Sequence, residues 1–349
     1  MGNVVRNSNM EGDKMNKAKY TRIRNELSIQ KVWEARKRIS PLIYRTPLLY
    51  SFVLSEQIGR PVYLKLETVH DIGAFKVRGA ANKILSLSDE EKRRGVATFS
   101  TGNHGMAVAY IAQKLGIEAT VCISNRVPKA KVDSLKRLGA KIERIGDSQD
   151  QAGEYCYHLE KEKGVVVIPP FDDPDIIAGQ GTIGLEIIEE APDVTDVIVP
   201  LSGGGLLAGI GLAVKSINSN IKVTGVSMEK AAVMFESIKA GKPIQMKEEP
   251  TLADSLLGGI GLDNQYTFDM VSRYMDQGFQ LTEDEIAYSM AFMMDQHRLI
   301  IEGAAATGVA TILGRKLPQT EGAVAVIISG NNVDLSVLLR IMDVYQLNR

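Results

Sequence analysis

The chain has 349 residues, a length that predicts two domains and allows a large core. Its 41 basic and 42 acidic residues give a net charge of -1, which excludes a field of one sign that would attract nucleic acid or an anionic membrane. Neither cysteine has metal-ligand spacing, so buried reduced thiols and a cytoplasmic location are expected.

The first part of the chain is a polar stretch followed by a helix and a strand. Residues 1–27 lack the apolar segment that secretion requires and are assigned as an N-terminal extension. Ser28 is the predicted N-cap of a helix over Ile29–Ile39, which Ser40-Pro41 ends. The alternation in Val62–Glu67 predicts a short strand.

A lysine flanked by small residues follows that strand. The stretch reads Gly73-Ala74-Phe75-Lys76-Val77-Arg78-Gly79-Ala80, and a helix is expected from Lys76 to about Leu85. Taken alone, it is typical of a surface helix end, because lysine is normally solvated.

From Gly95 onward, strands alternate with helices, a pattern that predicts parallel sheets. The predicted strands of the first block are Val96–Phe99, Ala119–Ile123, Lys141–Ile145 and Val165–Ile168, with helices beginning near Asn103, Lys129 and Ser148. This block forms a predicted smaller domain over 95–172. The later strands Val197–Leu201, Lys222–Val226 and Ala323–Ile328 belong to a larger domain made of 28–94 plus 173–349.

Two glycine-rich loops lie at predicted strand-to-helix junctions. They are Ser100-Thr101-Gly102-Asn103-His104-Gly105 and Ser202-Gly203-Gly204-Gly205-Leu206-Leu207. Such junctions direct unpaired N–H groups and the positive end of a helix dipole at a ligand, and so bind anions. Together with the lysine, they indicate a cofactor that carries a carbonyl and a phosphate.

The second loop has two other interpretations. Gly203, Gly205 and Gly209 make an imperfect dinucleotide fingerprint with Glu229 lying 26 residues after Gly203, so a nucleotide-binding oxidoreductase or binding module is the alternative from another class. Val197–Val214 is also an uncharged run of 18 residues, but Pro200 and five glycines favour strand, loop and helix over a membrane span.

The lysine stretch, both loops and the late Ser329-Gly330-Asn331 together resemble the motifs of pyridoxal-phosphate enzymes of the serine/threonine dehydratase and serine racemase family, fold type II. The resemblance runs from about Ile29 to near the C-terminus. It implies an α/β fold like that of the tryptophan synthase β chain, with two domains of parallel-rich open twisted sheets flanked by helices. It also implies pyridoxal 5'-phosphate in the interdomain cleft, which disfavours the nucleotide interpretation, and a homodimer.

The resemblance assigns a role to each motif. Lys76 would form the Schiff base and remove the substrate's α-proton, with Phe75 against the pyridine ring. The phosphate would bind the backbone of Ser202, Gly203, Gly204, Gly205 and Leu206. Asn103 would bind the ring oxygen and Ser329 would face the ring nitrogen, with Glu302 near the cofactor. The substrate carboxylate would bind Ser100, Thr101, Gly102, Asn103 and His104. Local alternatives are a capped helix end for Glu302 and a locally bonded side chain for His104.

The implied reaction is β-elimination from a β-hydroxy amino acid of the threonine or serine type, giving a 2-oxo acid and ammonia. The neutral hydroxyl of Ser329 favours loss of a β-substituent over transamination, and the cofactor phosphate is a candidate proton donor. Thr101 stands where racemases of this group carry a second serine, which disfavours racemisation.

Two late segments resemble a narrower subgroup. Leu252–Asn264 and Ile301–Ala304 look closest to hydroxyectoine-utilisation dehydratases, with phenylserine dehydratases also near. No metal site is predicted, although a cation at Glu229 or Asp254 is left open beside their interpretation as surface carboxylates. A member of the family that binds the cofactor but turns over no simple amino acid is a further alternative.

Overall fold

The computed structural model describes residues 27–127 and 129–345, so the predicted extension lies outside the described residues except for Leu27. The helices are α1 Ile29–Ile39, α2 Phe52–Ile58, α3 Lys76–Ser86, α4 Asp89–Arg94, α5 Asn103–Leu115, α6 Lys129–Arg137, α7 Gln149–Lys163, α8 Pro174–Glu190, α9 Gly205–Ile217, α10 Val233–Ala240, α11 Thr267–Tyr274, α12 Glu283–Phe292, α13 Gly303–Leu313 and α14 Leu335–Val344. The strands are β1 Leu48–Tyr50, β2 Val62–Leu66, β3 Val96–Thr98, β4 Ala119–Ile123, β5 Lys141–Arg144, β6 Val166–Val167, β7 Val194–Pro200, β8 Lys222–Met228, β9 Gln277–Leu281 and β10 Ala323–Ile328. Short 3-10 turns cover Glu67–Val69 and Asp254–Leu256.

The strands form two sheets. The six-stranded sheet has the order β1-β2-β10-β7-β8-β9, and only the β1–β2 pair is antiparallel. The four-stranded sheet has the order β5-β4-β3-β6 and is parallel throughout. Every residue of β10 is buried, as expected for a parallel strand covered by helices on both faces. The predicted α/β class with parallel-rich sheets is confirmed, while the division into domains stays a prediction.

Most predicted elements are present, with two local differences. Ser28 precedes α1 in an extended conformation, but its side chain makes no capping hydrogen bond; its carbonyl instead accepts from the Lys31 N–H at 2.9 Å. The strand β2 is almost wholly buried and does not alternate, because both of its faces are covered: Leu64 packs with Leu54 of α2, and Lys65 lies against Glu186 of α8. Lys65 of β2 is buried in an ion pair with Glu186, 2.7 Å away.

The uncharged run at Val197–Val214 divides as predicted between a strand and a helix, with β7 ending at Pro200 and α9 beginning at Gly205. Over residues 27–127 and 129–345, no helix is both long enough and apolar enough to cross a membrane.

Glycines bring α3, α8 and α9 into backbone contact beneath the site. A Cβ on Gly179 of α8 would lie 2.7 Å from the Arg78 carbonyl oxygen, and one on Gly209 of α9 would lie 2.3 Å from the Ile177 carbonyl oxygen. Any side chain there would push the helices apart. This close packing fixes the start of α3, where Lys76 lies.

Candidate active site

The four predicted motifs meet at the carboxyl ends of strands from both sheets. The lysine stretch follows β2, and the loops beginning at Ser100, Ser202 and Ser329 follow β3, β7 and β10. The Phe75 N–H donates to the Ser329 carbonyl at 3.0 Å, and Ala74 forms an isolated antiparallel bridge with Gly330. The carboxyl edge of parallel strands is where such folds bind ligands.

Lys76 is the first residue of α3, and its amine lies among protein atoms. Its Nζ donates to the Pro170 carbonyl oxygen at 2.7 Å and lies 5.3 Å from the centroid of the Phe75 ring, which is partly buried. Burial lowers the pKa of Lys76 to about 8, although the Glu302 carboxylate acts in the opposite direction. The amine is therefore available in its neutral, nucleophilic form near neutral pH.

The Ser100–His104 loop folds tightly over the start of α5. A Cβ on Gly105 would lie 1.9 Å from the Ser100 carbonyl oxygen, so only glycine fits there. Ser100, Thr101 and Gly102 keep partial exposure, whereas His104 is buried and its Nε2–H donates to the Ile168 carbonyl at 2.9 Å. Burial and the nearby Lys76 lower the pKa of His104 to about 3. Its side chain is thus neutral and bonded locally, so the part of the loop that can attract an anion is the set of backbone N–H groups at the start of α5.

Asn103 and Glu302, which are far apart in the chain, form a buried pair. Asn103 Nδ2 donates to both carboxylate oxygens of Glu302, at 3.1 and 3.0 Å. Glu302 is the N-cap residue of α13, yet its side chain makes no capping bond, so the capped-end alternative is wrong for the carboxylate. Burial raises the pKa of Glu302, whereas the hydrogen bonds from Asn103 and Ser255 lower it. The carboxylate lies close enough to Lys76 to influence its charge.

The Ser202–Leu206 loop leads into α9 with its backbone packed against Phe171. Gly204 has a φ of 89°, a conformation that favours glycine. A Cβ on Gly203 would lie 2.3 Å from the Phe171 ring, and one on Gly205 would lie 3.0 Å from Phe171 Cβ. The loop thus offers backbone N–H groups at a helix start, with Ser202 partly exposed and Leu206 buried.

Four residues near these motifs were missed by the sequence analysis: Pro170, Phe171, Ser255 and Asn332. Asn332 Nδ2 donates to Asn103 Oδ1 at 2.7 Å and to the Ile72 carbonyl at 2.8 Å. Its position just after Ser329-Gly330 is a signal that was available. Pro170 and Phe171 carry no local signal, because their role comes from the path of the chain between the two sheets.

Comparison with known proteins gives consistent matches. Residues 39–330 match the model of a family described as pyridoxal-phosphate dependent enzyme. The chain is 41% identical over 317 residues to L-threonine ammonia-lyase of Thermotoga maritima, covering 91% of this chain and 78% of that protein. It is 40% identical over 314 residues to the catabolic L-threonine dehydratase TdcB of Staphylococcus aureus, covering 89% and 90%. Maize serine racemase has a similar structure, with a TM-score of 0.85 at 33% identity over 92% of this chain and 98% of that chain. Because the family model covers most of the chain, this protein belongs to the family of pyridoxal-phosphate-dependent enzymes.

Proposed function

We propose that the protein is an ammonia-lyase that converts a β-hydroxy amino acid of the threonine or serine type into a 2-oxo acid and ammonia. The observation that carries this proposal is the partly buried amine of Lys76, which donates to the Pro170 carbonyl and has a pKa of about 8, at the meeting point of the predicted motifs. The ammonia-lyase and dehydratase activities for which the relatives at 40–41% identity are named support the same class of reaction. Family membership disfavours the nucleotide-binding alternative.

The residues present fit pyridoxal phosphate. Lys76 offers an amine of lowered pKa, and the Ser202–Leu206 loop offers backbone N–H groups at the start of α9, where a phosphate would bind. We assign the phosphate to Ser202, Gly203, Gly204, Gly205 and Leu206, the ring to Phe75, the ring oxygen to Asn103 and the ring nitrogen to Ser329. When bound, the cofactor supplies an electron sink for the substrate's α-carbon.

The protein's own groups supply binding and proton transfer. The Ser100–His104 loop would hold the substrate carboxylate through N–H groups at the start of α5. Lys76 would take the α-proton, because the buried His104 stays neutral and bonded to Ile168. The β-hydroxyl then leaves as water. One water adds back as the released enamine becomes the 2-oxo acid and ammonia, which balances the reaction.

We further propose a larger domain of 28–94 plus 173–349 and a smaller domain of 95–172, with the cofactor between them. The separation of the strands into two sheets supports this division. A homodimer is proposed from the family resemblance.

The test of the function is the absorption spectrum of the purified protein before and after borohydride, followed by a 2-oxo acid assay with L-threonine. A visible band that borohydride fixes onto Lys76, together with 2-oxobutyrate formation, is expected. Lys76→Ala should reduce turnover by about a thousandfold or more, whereas Lys239→Ala, on an exposed face of α10, should not. Full turnover by Lys76→Ala would contradict the proposal.

The second candidate for the substrate of this protein is the substrate of a hydroxyectoine-utilisation dehydratase or of a phenylserine dehydratase. The segment Leu252–Asn264 carries the resemblance, and its Ser255 contacts Glu302 in the site. A panel of L-threonine, L-serine, phenylserine and hydroxyectoine derivatives separates the candidates by kcat/KM. A band on Lys76 with no turnover of threonine or serine would favour the second candidate.

A further inference from the structure

A serine at the cleft holds the carboxylate that faces Lys76. Ser255 lies in the 3-10 turn Asp254–Leu256, on an exposed part of the surface, and its Oγ donates to Glu302 Oε1 at 2.8 Å. Glu302 itself is only 3% exposed. A hydrogen bond from an exposed hydroxyl to a buried carboxylate favours the charged form, so this contact lowers the pKa of Glu302 and offsets part of the rise that burial causes.

The carboxylate in turn orients the Asn103 amide. Asn103 Nδ2 donates to both oxygens of Glu302, and Asn103 Oδ1 accepts from Asn332. Both ends of the amide are therefore fixed. One N–H shared between the two carboxylate oxygens satisfies the contact with Glu302, which leaves the second N–H of Asn103 for a ligand.

The groups around Glu302 shift its pKa in opposite directions. Asp254, next to Ser255 in the chain, raises the pKa of Glu302 beyond the effect of burial and lies 3.9 Å from Lys131 of α6. Lys76 faces the carboxylate from α3, and the neighbouring His104 is neutral. The side-chain hydrogen bonds from Ser255 and Asn103 oppose protonation of Glu302.

We propose that Ser255 is a positioning residue that holds Glu302 as a charged acceptor and thereby aims the free N–H of Asn103 at the cofactor ring. This inference rests on the proposed function and deepens it by naming a residue outside the cofactor contacts. Without the hydroxyl, Glu302 would take up a proton at higher pH. A protonated Glu302 would accept less well from Asn103 and would no longer favour the charged form of Lys76.

The test compares the holoenzymes of the wild type, Ser255→Ala and Ser255→Thr. Ser272→Ala is the matched control, because Ser272 is an exposed serine of α11 whose hydroxyl bonds only to the helix backbone at Phe268. The visible absorption band is titrated with pH, a measurement that needs no substrate. The kcat and KM for L-threonine are then measured at pH 7.

Ser255→Ala should move the acid-side midpoint of the absorption titration upward by about one pH unit. At pH 7 it should reduce kcat about tenfold, with KM within about twofold of the wild type. Ser255→Thr should restore both properties. An unchanged titration and kcat in Ser255→Ala, or no restoration by threonine, would overturn the inference while leaving the proposed function intact. A wild type without a band on Lys76 would instead overturn the proposed function.

Discussion

Two ionisable groups of the candidate active site, Lys76 and Glu302, have pKa values that are shifted in opposite directions. Burial lowers the pKa of Lys76 and raises that of Glu302, because low-dielectric surroundings disfavour both charges. The Glu302 charge opposes the shift of Lys76, and the hydrogen bonds from Asn103 and Ser255 oppose the shift of Glu302. The balance leaves Lys76 with a pKa of about 8, within reach of the working pH of most enzymes.

The first prediction concerns cofactor capture by the apoenzyme. Only the neutral amine of Lys76 attacks an aldehyde, so the rate of pyridoxal phosphate incorporation should rise with pH and reach half its maximum near pH 8. Stopped-flow absorption from about pH 6.5 to about pH 11 measures this rate. Glu302→Gln removes the charge that raises the pKa of Lys76, so its midpoint should fall below that of the wild type. A midpoint near 10.5, the ordinary lysine value, would contradict the prediction.

Helix α3 is anchored by a buried ion cluster one turn or less from Lys76. Arg78 is 1% exposed and donates to both oxygens of Glu67, at 2.7 and 2.9 Å, and of Glu186, at 2.6 and 2.9 Å. Burial alone would raise the pKa of each carboxyl group, but the charge of Arg78 holds both below their usual value. The cluster therefore fixes the helix only while all members stay ionised.

The second prediction is that Arg78→Met lowers the free energy of unfolding by about 3–5 kcal/mol at pH 7, because it leaves the fully buried Glu67 carboxylate without its guanidinium partner, whereas Glu186 keeps its ion pair with Lys65. In the variant the folded-state pKa of Glu67 should lie above the unfolded value of 4.5, because burial raises it and the charge of Arg78 is gone. The loss should therefore shrink as the pH falls towards that value.

Urea unfolding at pH 7 and pH 5 measures this loss. Lys239→Met, which breaks an exposed ion pair with Glu236, is the control and should change stability by at most about 1 kcal/mol. An equally small effect of Arg78→Met would show that the cluster does not anchor α3.

The third prediction concerns the contact between the Ser100–His104 loop and α5. Gly105→Ala would place a methyl group 1.9 Å from the Ser100 carbonyl and displace the loop, so kcat/KM should fall about a hundredfold. Gly153→Ala in α7 is the matched control, because its nearest neighbour, the Phe99 ring, stays at an ordinary 3.4 Å. Steady-state kinetics with a circular dichroism melt separate loss of function from loss of folding. Wild-type kcat/KM in Gly105→Ala would contradict the placement of the loop.

At the scale of the whole molecule, the four-stranded sheet has its own core. Cys122 of β4 and Cys156 of α7 are both free and fully buried there, and their thiols share a hydrogen bond. This confirms the predicted burial. The thiols can therefore react only after this part of the molecule opens.

The fourth prediction follows from that burial. The native protein should show no fast-reacting thiol towards an aromatic disulfide reagent, and the protein unfolded in guanidinium should show two. The rate of the slow native reaction should follow the opening of the small sheet. A thiol that reacts in the native protein as fast as a free cysteine would contradict the packing of α7 on β4.

The sequence by itself determined the alternating elements and the order of the motifs. The strand Ala119–Ile123 and the helix starts at Asn103 and Lys129 were predicted as observed, because apolar runs and loop residues act locally. The capping box of Ser88 and Glu91 likewise needs only residues close in sequence. The α/β fold follows from these local patterns.

Only the tertiary structure decided which distant groups meet. Asn103 and Glu302 are 199 residues apart, and Lys76 and Pro170 are 94 apart. No local pattern encodes these pairs, because they depend on how the two sheets and their helices pack. The same packing turned β2 from an expected half-exposed strand into a buried one and directed the Glu302 carboxylate into the site. Burial is the largest cause of the pKa shifts of both Glu302 and Lys76. The tertiary structure therefore decided the chemistry of the lysine.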